Sequence, residues 1–420
     1  MLKPSSAGRA TRTGLNRMTT RESLRLLTIN AGSSSLKAAV FRFEAPDAAL
    51  LTLSVDEIGQ PEERLRVTGP EGAPVRVLPQ RSPDYPAALR GVLAWIRREQ
   101  PEVRIGAVGH RVVHGGAVYR DPQLVTPRLI DALRDLATID PDHMPQAISG
   151  IEAIGQARPD VPQVVCFDTA FHATMPRLAR LYALPRDLAE AGVVRYGFHG
   201  LSYESVMAHL NGLDPAAAKG RVIIAHLGSG ASVAAVRDGV SVDTTMGFSP
   251  TGGLVMSTRS GDLDPSVVLH LLDRGRSVPE VRTLLNREAG MLGVSGTTGD
   301  MKILLDRAAA DPGAAEAIAL FCYHARKFIG ALAAVLGGVD TLVFTGGIGE
   351  HAAPVRDRIC RGLEFVGVRI DQRRNAEHAP VVSPDGGGAI VRVIAANEEL
   401  MIARHTRRIV EREGGRHVSV

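Results

Sequence analysis

Aromatic side chains are scarce in this 420-residue chain, at 4% of its residues with a single tryptophan. Proteins that stack unpaired bases need aromatic platforms, so the scarcity argues against single-strand nucleic-acid binding. The basic isoelectric point of about 9.1 arises in the tails. Residues 1–25 contain six basic and one acidic side chain, a net charge of +5, and residues 404–420 contain five basic and two acidic side chains, a net charge of +3. Since the whole chain has a net charge of +4, residues 26–403 have a net charge of −4. We therefore predict no nucleic-acid partner.

Cysteine is equally rare, with three residues spread along the chain and no CxxC spacing. Such usage is typical of reduced thiols in the cytoplasm and argues against a disulfide framework or a zinc site. Long apolar runs are missing too. The best candidate, residues 316–338, is interrupted by His324, Arg326 and Lys327, so we expect no bilayer span and no membrane partner.

The N-terminal residues 1–22 contain Arg, Ser and Thr but almost no apolar side chains. This composition resembles an organelle transit peptide only superficially, because the apolar face of such a peptide is missing. We predict a disordered extension over 1–22, with a true start at Met18 as the alternative.

The rest of the chain alternates short apolar runs with amphipathic stretches, which predicts an α/β protein. Its length suits two domains of ordinary size. We predict strands over residues 24–30, 38–43, 106–113, 163–168, 221–226, 231–236, 341–345 and 389–395. The helices are predicted over residues 84–99, 128–137, 265–274 and 316–336.

One pattern occurs twice in the sequence. A strand enters a Gly/Ser turn and returns as a strand, in LTINAGSSSLKAAVF at 27–41 and in IIAHLGSGASVAAV at 223–236. Turns of small residues leave backbone N–H groups free to hold an anionic oxygen. The repetition suggests two related domains, although unrelated proteins also contain paired Gly-rich hairpins.

Two polar residues at strand ends are candidates for binding an acid and its metal. Asn30 ends the first strand and could bind a magnesium-bound water or a phosphate oxygen, with a plain Asn/Gly/Ser turn as the alternative. Arg111, in GHRVVHGG, could bind a small carboxylate in bidentate fashion. A structural salt bridge to an internal acid would explain Arg111 equally well. The first turn does not have the spacing of a Walker loop.

Two further residues are candidates for catalysis. Asp168, in CFDTAFH, follows an apolar strand, and ligands of α/β folds bind at such strand ends. Capping of the next helix is the alternative role for Asp168. His199 lies between two glycines in YGFHG, which indicates close backbone approach to a ligand, whereas a lone histidine is usually structural.

Two later segments complete the parts of a phosphoryl transferase. The segment 243–265, DTTMGFSPTGGLVMSTRSGDLDP, places Arg259 on a tight loop, where a cation could stabilise a transferring phosphoryl group. The glycine-rich loop Gly346-Gly347-Ile348-Gly349 follows the strand 341–345 and would let a planar base lie on the backbone.

The ordered motifs together resemble the acetate kinase (acetokinase) family. They are INAGSSSLK, GHRVVHGG, FDTAFH, YGFHG, DTTMGFSP with GLVMSTRSGDLDP, MLGVSG, FTGGIGE and NEELMIAR, and they span about residues 26 to 405. The resemblance implies an α/β fold of two RNase H-like domains of the acetate and sugar kinase, heat-shock chaperone and actin superfamily around a central cleft. The N-terminal domain would span 23–169, with the helix 398–415 packing back on it, and the nucleotide-binding domain 170–397.

The resemblance also implies the reaction, which is reversible, direct in-line transfer of a phosphoryl group from ATP to acetate. The products are acetyl phosphate and ADP, the cofactor is Mg²⁺ (or Mn²⁺), and the enzyme is expected to be a cytoplasmic homodimer. Propionate or another short acid is the nearest alternative substrate, since one methylene changes discrimination by only about 1–3 kcal/mol. A pyrophosphate-linked enzyme is a further alternative, and a non-catalytic actin-like switch is a third.

Carried over residue by residue, the resemblance implies a role for each matching position. The catalytic residues would be Asp168, His199 and Arg259, with His143 as a further site residue. The acid would be bound by Arg111, Val113, Phe198 and Pro250, and the metal by Asn30 and Glu398. The nucleotide would be bound by Lys37, His226, Gly228, Ser229, Gly230, Asp300, Met301, Lys302, Gly347, Ile348 and Gly349.

Three segments depart from the family pattern. Ser229 stands where the second phosphate loop usually has asparagine, and the LHNP segment is replaced by Asp142-His143-Met144-Pro145 after extra residues. The SDFR segment becomes Gly299-Asp300-Met301-Lys302, which removes an aromatic and an arginine from the adenosine side. We therefore expect ATP to remain the donor, with weaker discrimination between bases.

Overall fold

The computed structural model describes residues 24–32, 35–70 and 76–416, so the predicted extension over 1–22 and two serines of the first loop lie outside the described residues. The chain divides into two compact units. Unit 1 contains the described chain up to Gly115, then Asp121–Phe167, and the segment from Glu398 onward; unit 2 contains Gly116–Arg120 and Asp168–Asn397.

Unit 1 is built on a mixed sheet with helices packed against it. Its strands are β1 (Leu24–Ala31), β2 (Leu36–Arg42), β3 (Ala49–Asp56), β4 (Arg64–Thr68), β5 (Arg76–Pro79), β6 (Arg104–Val112), β7 (Gln123–Leu124) and β8 (Gln163–Phe167). The helices between them are α1 (Tyr85–Glu99), α2 (Pro127–Leu136) and α3 (Met144–Ala157). Side-chain caps define two helix starts, because Asp84 accepts from Ala87 N at 2.8 Å and Thr126 accepts from Leu129 N at 3.2 Å.

Unit 2 has a smaller sheet and more helices. Its strands are β9 (Arg221–Leu227), β10 (Ala231–Arg237), β11 (Val240–Thr244), β12 (Thr341–Thr345) and β13 (Ile390–Val393). Its helices are α4 (Arg177–Arg180), α5 (Arg186–Glu190), α6 (Gly200–Leu213), α7 (Pro215–Lys219), α8 (Pro265–Asp273), α9 (Val278–Thr283), α10 (Gly290–Ser295), α11 (Met301–Arg307), α12 (Pro312–Leu336), α13 (Gly346–His351), α14 (Ala353–Cys360) and α15 (Gln372–Ala376).

The two sheets share one strand order. In unit 2 it is β11-β10-β9-β12-β13, and in unit 1 the same arrangement appears as β3-β2-β1-β6-β8, extended by β4 and β5 at one edge and by β7 at the other. In each sheet the first hairpin is antiparallel, and the next two strands on its other side, β6 and β8 in unit 1 and β12 and β13 in unit 2, run parallel to its first strand. The edge strand β7 of unit 1 runs antiparallel to β8. The structure confirms the predicted α/β fold, and the common order is what two related domains would produce.

The C-terminal helix α16 (Glu398–Arg416) packs within unit 1 on β1, β6 and β8. Its approach to β6 depends on Gly109. A Cβ atom at Gly109 would lie 2.1 Å from Oγ1 of Thr406 and 2.6 Å from Cγ2 of Ile402, which is far inside contact distance. Glycine at this position therefore lets α16 lie against the sheet, with Glu398 at its first turn.

Helix α12 is long and apolar enough to cross a membrane by length and composition alone, whereas His324, Arg326 and Lys327 in the sequence predict no bilayer span. Its apolar side chains Ile318, Phe321 and Ile329 are fully buried in the unit. The helix packs against β9, β10, α10, α11 and α14. These contacts identify α12 as the central helix of the core of unit 2.

Candidate functional site

In unit 1, three predicted residues meet at one edge of the sheet. Asn30 and Arg111 are direct partners in the parallel pairing of β1 with β6, so their side chains leave adjacent strand ends. Arg111 Nη1 donates to Asn30 Oδ1 at 3.1 Å, and Asn30 Nδ2 donates to Glu398 Oε2 at 3.0 Å. Arg111 Nε lies 3.9 Å from the same carboxylate oxygen. Both charged side chains are largely buried, at 15% and 18% exposure.

The oxygen donors of this cluster fit a magnesium ion. Asn30 Nδ2 also donates to Glu399 Oε1 at 3.4 Å, which brings a second carboxylate beside Glu398. Carboxylate and amide oxygens are the ligands that Mg²⁺ prefers, and it keeps several waters when the protein supplies only one or two carboxylates. Among the described residues no group of three or more His, Cys, Asp or Glu side chains is placed to hold a metal. An ion here would therefore be bound mainly by Glu398 and by water.

Three other predicted residues of unit 1 lie around these strands. Lys37 faces Asn30 across the β1–β2 hairpin and is exposed. Val113 is buried directly after β6. His143 precedes α3, and its Nδ1 lies 2.9 Å from Oδ1 of the buried Asp140, a carboxylate partner that orients the imidazole. No pattern in the sequence marks Asp140 as the partner of His143.

In unit 2, the second Gly/Ser turn has three functional groups around it. Gly228 N donates to Gly230 O at 3.0 Å and closes the turn. A Cβ atom built on Gly230 would lie 3.1 Å from Nε2 of His199 and 3.7 Å from Nη1 of Arg259. One built on Gly228 would lie 3.8 Å from Nε2 of His226. The predicted histidines and arginine therefore converge on this turn, which we call the glycine turn (residues 228–230).

The backbone of His199 is strained, which is common at functional sites. Its φ of 58° lies in the left-handed region, which costs a residue with a side chain free energy. The His199 ring stacks on that of His226, with a centroid separation of 4.2 Å and an interplanar angle of 21°. The structure therefore places a constrained imidazole next to the glycine turn.

Arg259 is held by a tightly packed loop. Its Nη1 donates to Pro250 O at 3.1 Å, which ties together two residues predicted for the site. Gly290 begins α10 at φ +61°, and a Cβ atom there would lie 2.3 Å from Met256 O and 2.9 Å from Arg259 N. Ser257 N also donates to Ser229 O at 3.1 Å and joins the loop to the glycine turn. Any residue larger than glycine at 290 would displace the arginine backbone.

Asp168 and Phe198 are buried close to this region. Asp168 follows β8 and is fully buried, and its backbone oxygen accepts from Gly200 N at 2.9 Å. Phe198 is 1% exposed, and His172 Nε2 bonds to its carbonyl at 3.0 Å. Burial lowers the pKa of His172 to about 4, so His172 is neutral at pH 7 and donates this bond. The sequence motif contained His172, but only the fold reveals that it supports Phe198.

A cavity of about 560 Å³ opens beside the glycine turn within unit 2. The structure brings most of the predicted nucleotide-binding residues to its walls. The predicted lining residues are Gly228, Ser229, Asp300, Met301, Lys302, Gly347 and Ile348, and the unpredicted ones are Ser257, Gly299, Leu305, His351, Ala352 and Pro354. His226, Gly230 and Gly349 do not line it; Gly349 is buried in α13.

Helix α13, which forms part of the cavity wall, is held in place by a fully buried arginine. Arg356 Nη1 donates to the carbonyl oxygens of Gly349 and Glu350 at 2.8 and 2.9 Å, and its Nε donates to Asn375 Oδ1 at 2.8 Å. These bonds hold α13, whose residues Gly347 and Ile348 line the cavity. The segment 346–349, expected as an open loop, is thus a short helix held at its C-terminal carbonyls.

Comparison with known proteins gives consistent matches along nearly the whole chain. A sequence model of the Acetokinase family matches residues 25–404. The acetate kinase of Rhodopseudomonas palustris is 45% identical over 399 residues, which cover 93% of this chain and 99% of that protein. The crystal structure of a propionate kinase from Francisella tularensis superposes with a TM-score of 0.85 at 36% identity, and that of Porphyromonas gingivalis acetate kinase with 0.82 at 35%; each covers 92% of this chain and 100% of the other.

Proposed function

The chain belongs to the acetokinase family, and we propose that it transfers the γ-phosphoryl group of ATP to acetate, reversibly, giving acetyl phosphate and ADP. The observation that carries this proposal is the convergence of His199 Nε2 and Arg259 Nη1 on the glycine turn beside the cavity of unit 2. Hydrogen-bond donors and a fixed cation at a turn of backbone N–H groups are what a transferring phosphoryl group requires.

Each unit contributes a distinct part of the proposed reaction. In unit 1, Arg111 binds the carboxylate of the acid, helped by the apolar side chain of Val113. In unit 2, Phe198 and Pro250 limit the size of the acid, and the cavity binds the nucleotide. A carboxylate oxygen of acetate forms the new bond to phosphorus while the bond from phosphorus to the bridging oxygen of ADP breaks. The acid reacts as its anion, so it gives up no proton.

The charge that develops during transfer determines the remaining roles. Arg259 and His199 donate to the oxygens of the phosphoryl group, and Asp168 orients the reacting groups. Asn30 and Glu398 would hold Mg²⁺, with Mn²⁺ as the substitute. When bound, the ion would neutralise phosphate charge. Arg111 donates to the amide oxygen of Asn30, and Mg²⁺ is usually bound in proteins through carboxylates, so Glu398 would be the main ligand of the ion.

A substrate panel tests the proposal directly. Acyl phosphate formed from formate, acetate, propionate and butyrate is trapped as the hydroxamate, with ATP and magnesium present. We expect the highest kcat/KM with acetate. Propionate is the second candidate substrate because the similar structure from Francisella tularensis is that of a propionate kinase. A protein that forms no hydroxamate from any of these acids would contradict the proposed function.

We expect weak discrimination between nucleotide bases, with GTP and ITP replacing ATP within about tenfold in kcat/KM, a difference of about 1.4 kcal/mol. Met301, Leu305 and Ile348 offer apolar contacts that any purine can use. The carboxylate of Asp300 accepts from Ile303 N at 3.0 Å, so it is engaged in capping α11. Of the described residues that line the cavity, none is Asn or Gln, whose amides usually read base edges.

Steady-state kinetics with ATP, GTP and pyrophosphate measure this selectivity. A preference for ATP over GTP of a hundredfold or more would show that the base is read by groups other than those of the cavity. A higher kcat/KM with pyrophosphate than with ATP would contradict the proposed nucleotide donor. The proposed role of unit 1 in binding the acid would be unaffected.

We propose that the enzyme is a homodimer and that α8 lies in the contact. None of the residues of α8, PSVVLHLLD, is buried, and its Leu269 and Val267 are 60% and 40% exposed. An apolar helix left uncovered in one chain is suited to pack on another protein surface. Leu269→Glu should shift the protein from dimer to monomer in sedimentation velocity. The matched control is Val240→Glu, at an apolar residue of β11 that is 47% exposed; a wild-type monomer would contradict the proposal.

We place the enzyme in the cytoplasm. Cys166, Cys322 and Cys360 lie in the described part of the chain, where they are buried and form no disulfide, as is usual in proteins of reducing compartments. Burial raises the pKa of the Cys322 thiol to about 12, so this thiol is unreactive at neutral pH.

A further inference from the structure

The two stacked histidines of unit 2 are held by two serines in a crossed arrangement. His199 precedes α6, and its Nδ1 lies 2.8 Å from Oγ of Ser232 in β10. His226 is the penultimate residue of β9, and its Nδ1 lies 2.8 Å from Oγ of Ser202 in α6. His226 therefore bonds to the helix that His199 precedes, and His199 bonds to the strand that pairs with the strand of His226. We call these four side chains the histidine clasp.

The pairing of β9 with β10 brings two members of the histidine clasp together. Ser232 and His226 are direct partners in the antiparallel pairing of β9 with β10, so their side chains lie on one face. His199 and Ser202 are one helical turn apart at the start of α6. Both Nδ1 atoms are used within the clasp, and both Nε2 atoms therefore lie toward the glycine turn, at the distances given above.

A tyrosine extends the clasp behind His199. The hydroxyl of Tyr203 lies 2.5 Å from Oγ of Ser232, and its side chain is fully buried. Burial raises the pKa of Tyr203, and the nearby charge of Asp168 adds to this. The phenol therefore keeps its proton across the working pH range and has one hydrogen to donate.

The direction of these hydrogen bonds determines what His199 offers to a ligand. A serine hydroxyl carries one hydrogen and can accept others. If Tyr203 donates to Ser232, the hydrogen of Ser232 is available for Nδ1 of His199. A neutral imidazole that accepts at Nδ1 carries its hydrogen at Nε2.

We propose that Ser232 and Tyr203 are positioning residues that hold His199 as the tautomer protonated at Nε2, so that it donates to the transferring phosphoryl group. The inference rests on the proposed function, in which His199 stabilises that group. A donor fixed before the phosphoryl group arrives requires no reorganisation during transfer. Without Ser232 the ring takes either tautomer, and the one with a lone pair at Nε2 repels an anionic oxygen.

The kinetic test uses Ser232→Ala, Tyr203→Phe and the double variant. Ser232→Ala should lower kcat by about tenfold and change KM for ATP by less than about threefold, as expected for loss of one hydrogen bond that acts in the transition state. Tyr203→Phe should lower kcat by a smaller factor. The double variant should be no slower than Ser232→Ala alone, because both residues act through one serine hydroxyl.

The matched control is Thr341→Val. Thr341 lies in β12 of the same sheet, and its buried hydroxyl has no hydrogen-bond partner in the described part of the chain. We expect wild-type kcat for this variant. Thermal unfolding of all variants shows whether a lower kcat comes from lost stability or from lost positioning of His199. Tyr203→Phe removes one oxygen atom and leaves the packing intact, so we expect little change in its unfolding temperature.

A spectroscopic test is independent of turnover. Long-range ¹H–¹⁵N NMR distinguishes the two imidazole tautomers, and His199→Gln identifies the signal. We expect His199 of the wild-type enzyme to be protonated at Nε2 and Ser232→Ala to give a mixture. A wild-type ring protonated at Nδ1 would overturn the inference, and so would unchanged kcat in Ser232→Ala. A wild-type protein with the expected tautomer but no phosphoryl transfer would overturn the proposed function instead.

Discussion

Replacing Arg259 with alanine should lower kcat by about 10²–10³-fold, with only a modest change in KM for either substrate. Loss of one preorganised donor to developing charge has an effect of this size, about 3–4 kcal/mol. The guanidinium is positioned before substrate binds, because Nη1 donates to Pro250 O and Gly290 packs against the loop backbone. The missing interaction strengthens as charge develops, so the loss should appear mainly in kcat.

Steady-state kinetics with acetate and ATP varied separately measure the effect. Arg259→Lys should recover only part of the rate, because an ammonium group cannot reproduce the planar geometry of the guanidinium. Arg369→Ala, at an exposed arginine of the same unit, is the matched control and should behave like the wild type. An Arg259→Ala enzyme with normal kcat and a raised KM would contradict a role in the transition state.

The surroundings of Arg259 illustrate what the sequence can and cannot predict about the site. The sequence predicts that Arg259 lies on a tight loop within the segment 243–265, which is rich in Gly, Ser and Thr. Its support comes from Gly290, and from Ser229 through Ser257. Residues so far apart along the chain meet only after folding, and no local pattern marks such contacts.

The clasp was partly accessible to sequence reasoning. The hairpin at 223–236 was predicted, and its short turn makes Ser232 the neighbour of His226. The partners contributed by α6 could not be predicted, because they depend on how that helix packs on the sheet. The residues that line the cavity were likewise only partly predictable. A sequence motif contains Met301 and Lys302, whereas Ala352 and Pro354 reach the cavity only because α13 and α14 pack beside it.

The fold itself was predicted best where strands are buried. The central strands β1, β9 and β12 are mostly buried and rich in apolar residues, and the sequence predicts each to within one residue of its observed ends. The edge region β3 to β5 was missed. These strands are short or partly exposed, and β4 alternates charged and apolar residues as Arg-Leu-Arg-Val. One-sided burial leaves a weaker signal than full burial.

Replacing Arg111 with alanine should give the opposite kinetic pattern to Arg259→Ala. We expect KM for acetate to rise by roughly 30- to 150-fold, since hydrogen bonds to a charged group contribute about 2–3 kcal/mol. The carboxylate of acetate carries its full charge before transfer begins. Its contact with Arg111 is therefore present in the ground state, and kcat at saturating acetate should fall much less.

Replacing Arg111 should also affect the binding of Mg²⁺ by its neighbours Asn30 and Glu398. In the free protein its guanidinium bonds to Asn30 and lies 3.9 Å from Glu398, so alanine at 111 removes a cation from the oxygen cluster. The affinity of that cluster for Mg²⁺ should stay the same or increase, because a nearby positive charge opposes cation binding. Titration with Mn²⁺, followed by its paramagnetic effect on water relaxation, measures this without turnover.

Arg111→Lys separates charge from geometry at the same position. Lysine keeps the charge but offers a single point of contact, so KM for acetate should lie between the wild-type and alanine values. Arg111 has a structural role instead if the alanine variant unfolds at a much lower temperature and the remaining folded enzyme keeps its normal KM. A large fall in kcat with an unchanged KM for acetate would mean that Arg111 acts on the transferring group, and the roles assigned to the two arginines would then have to be exchanged.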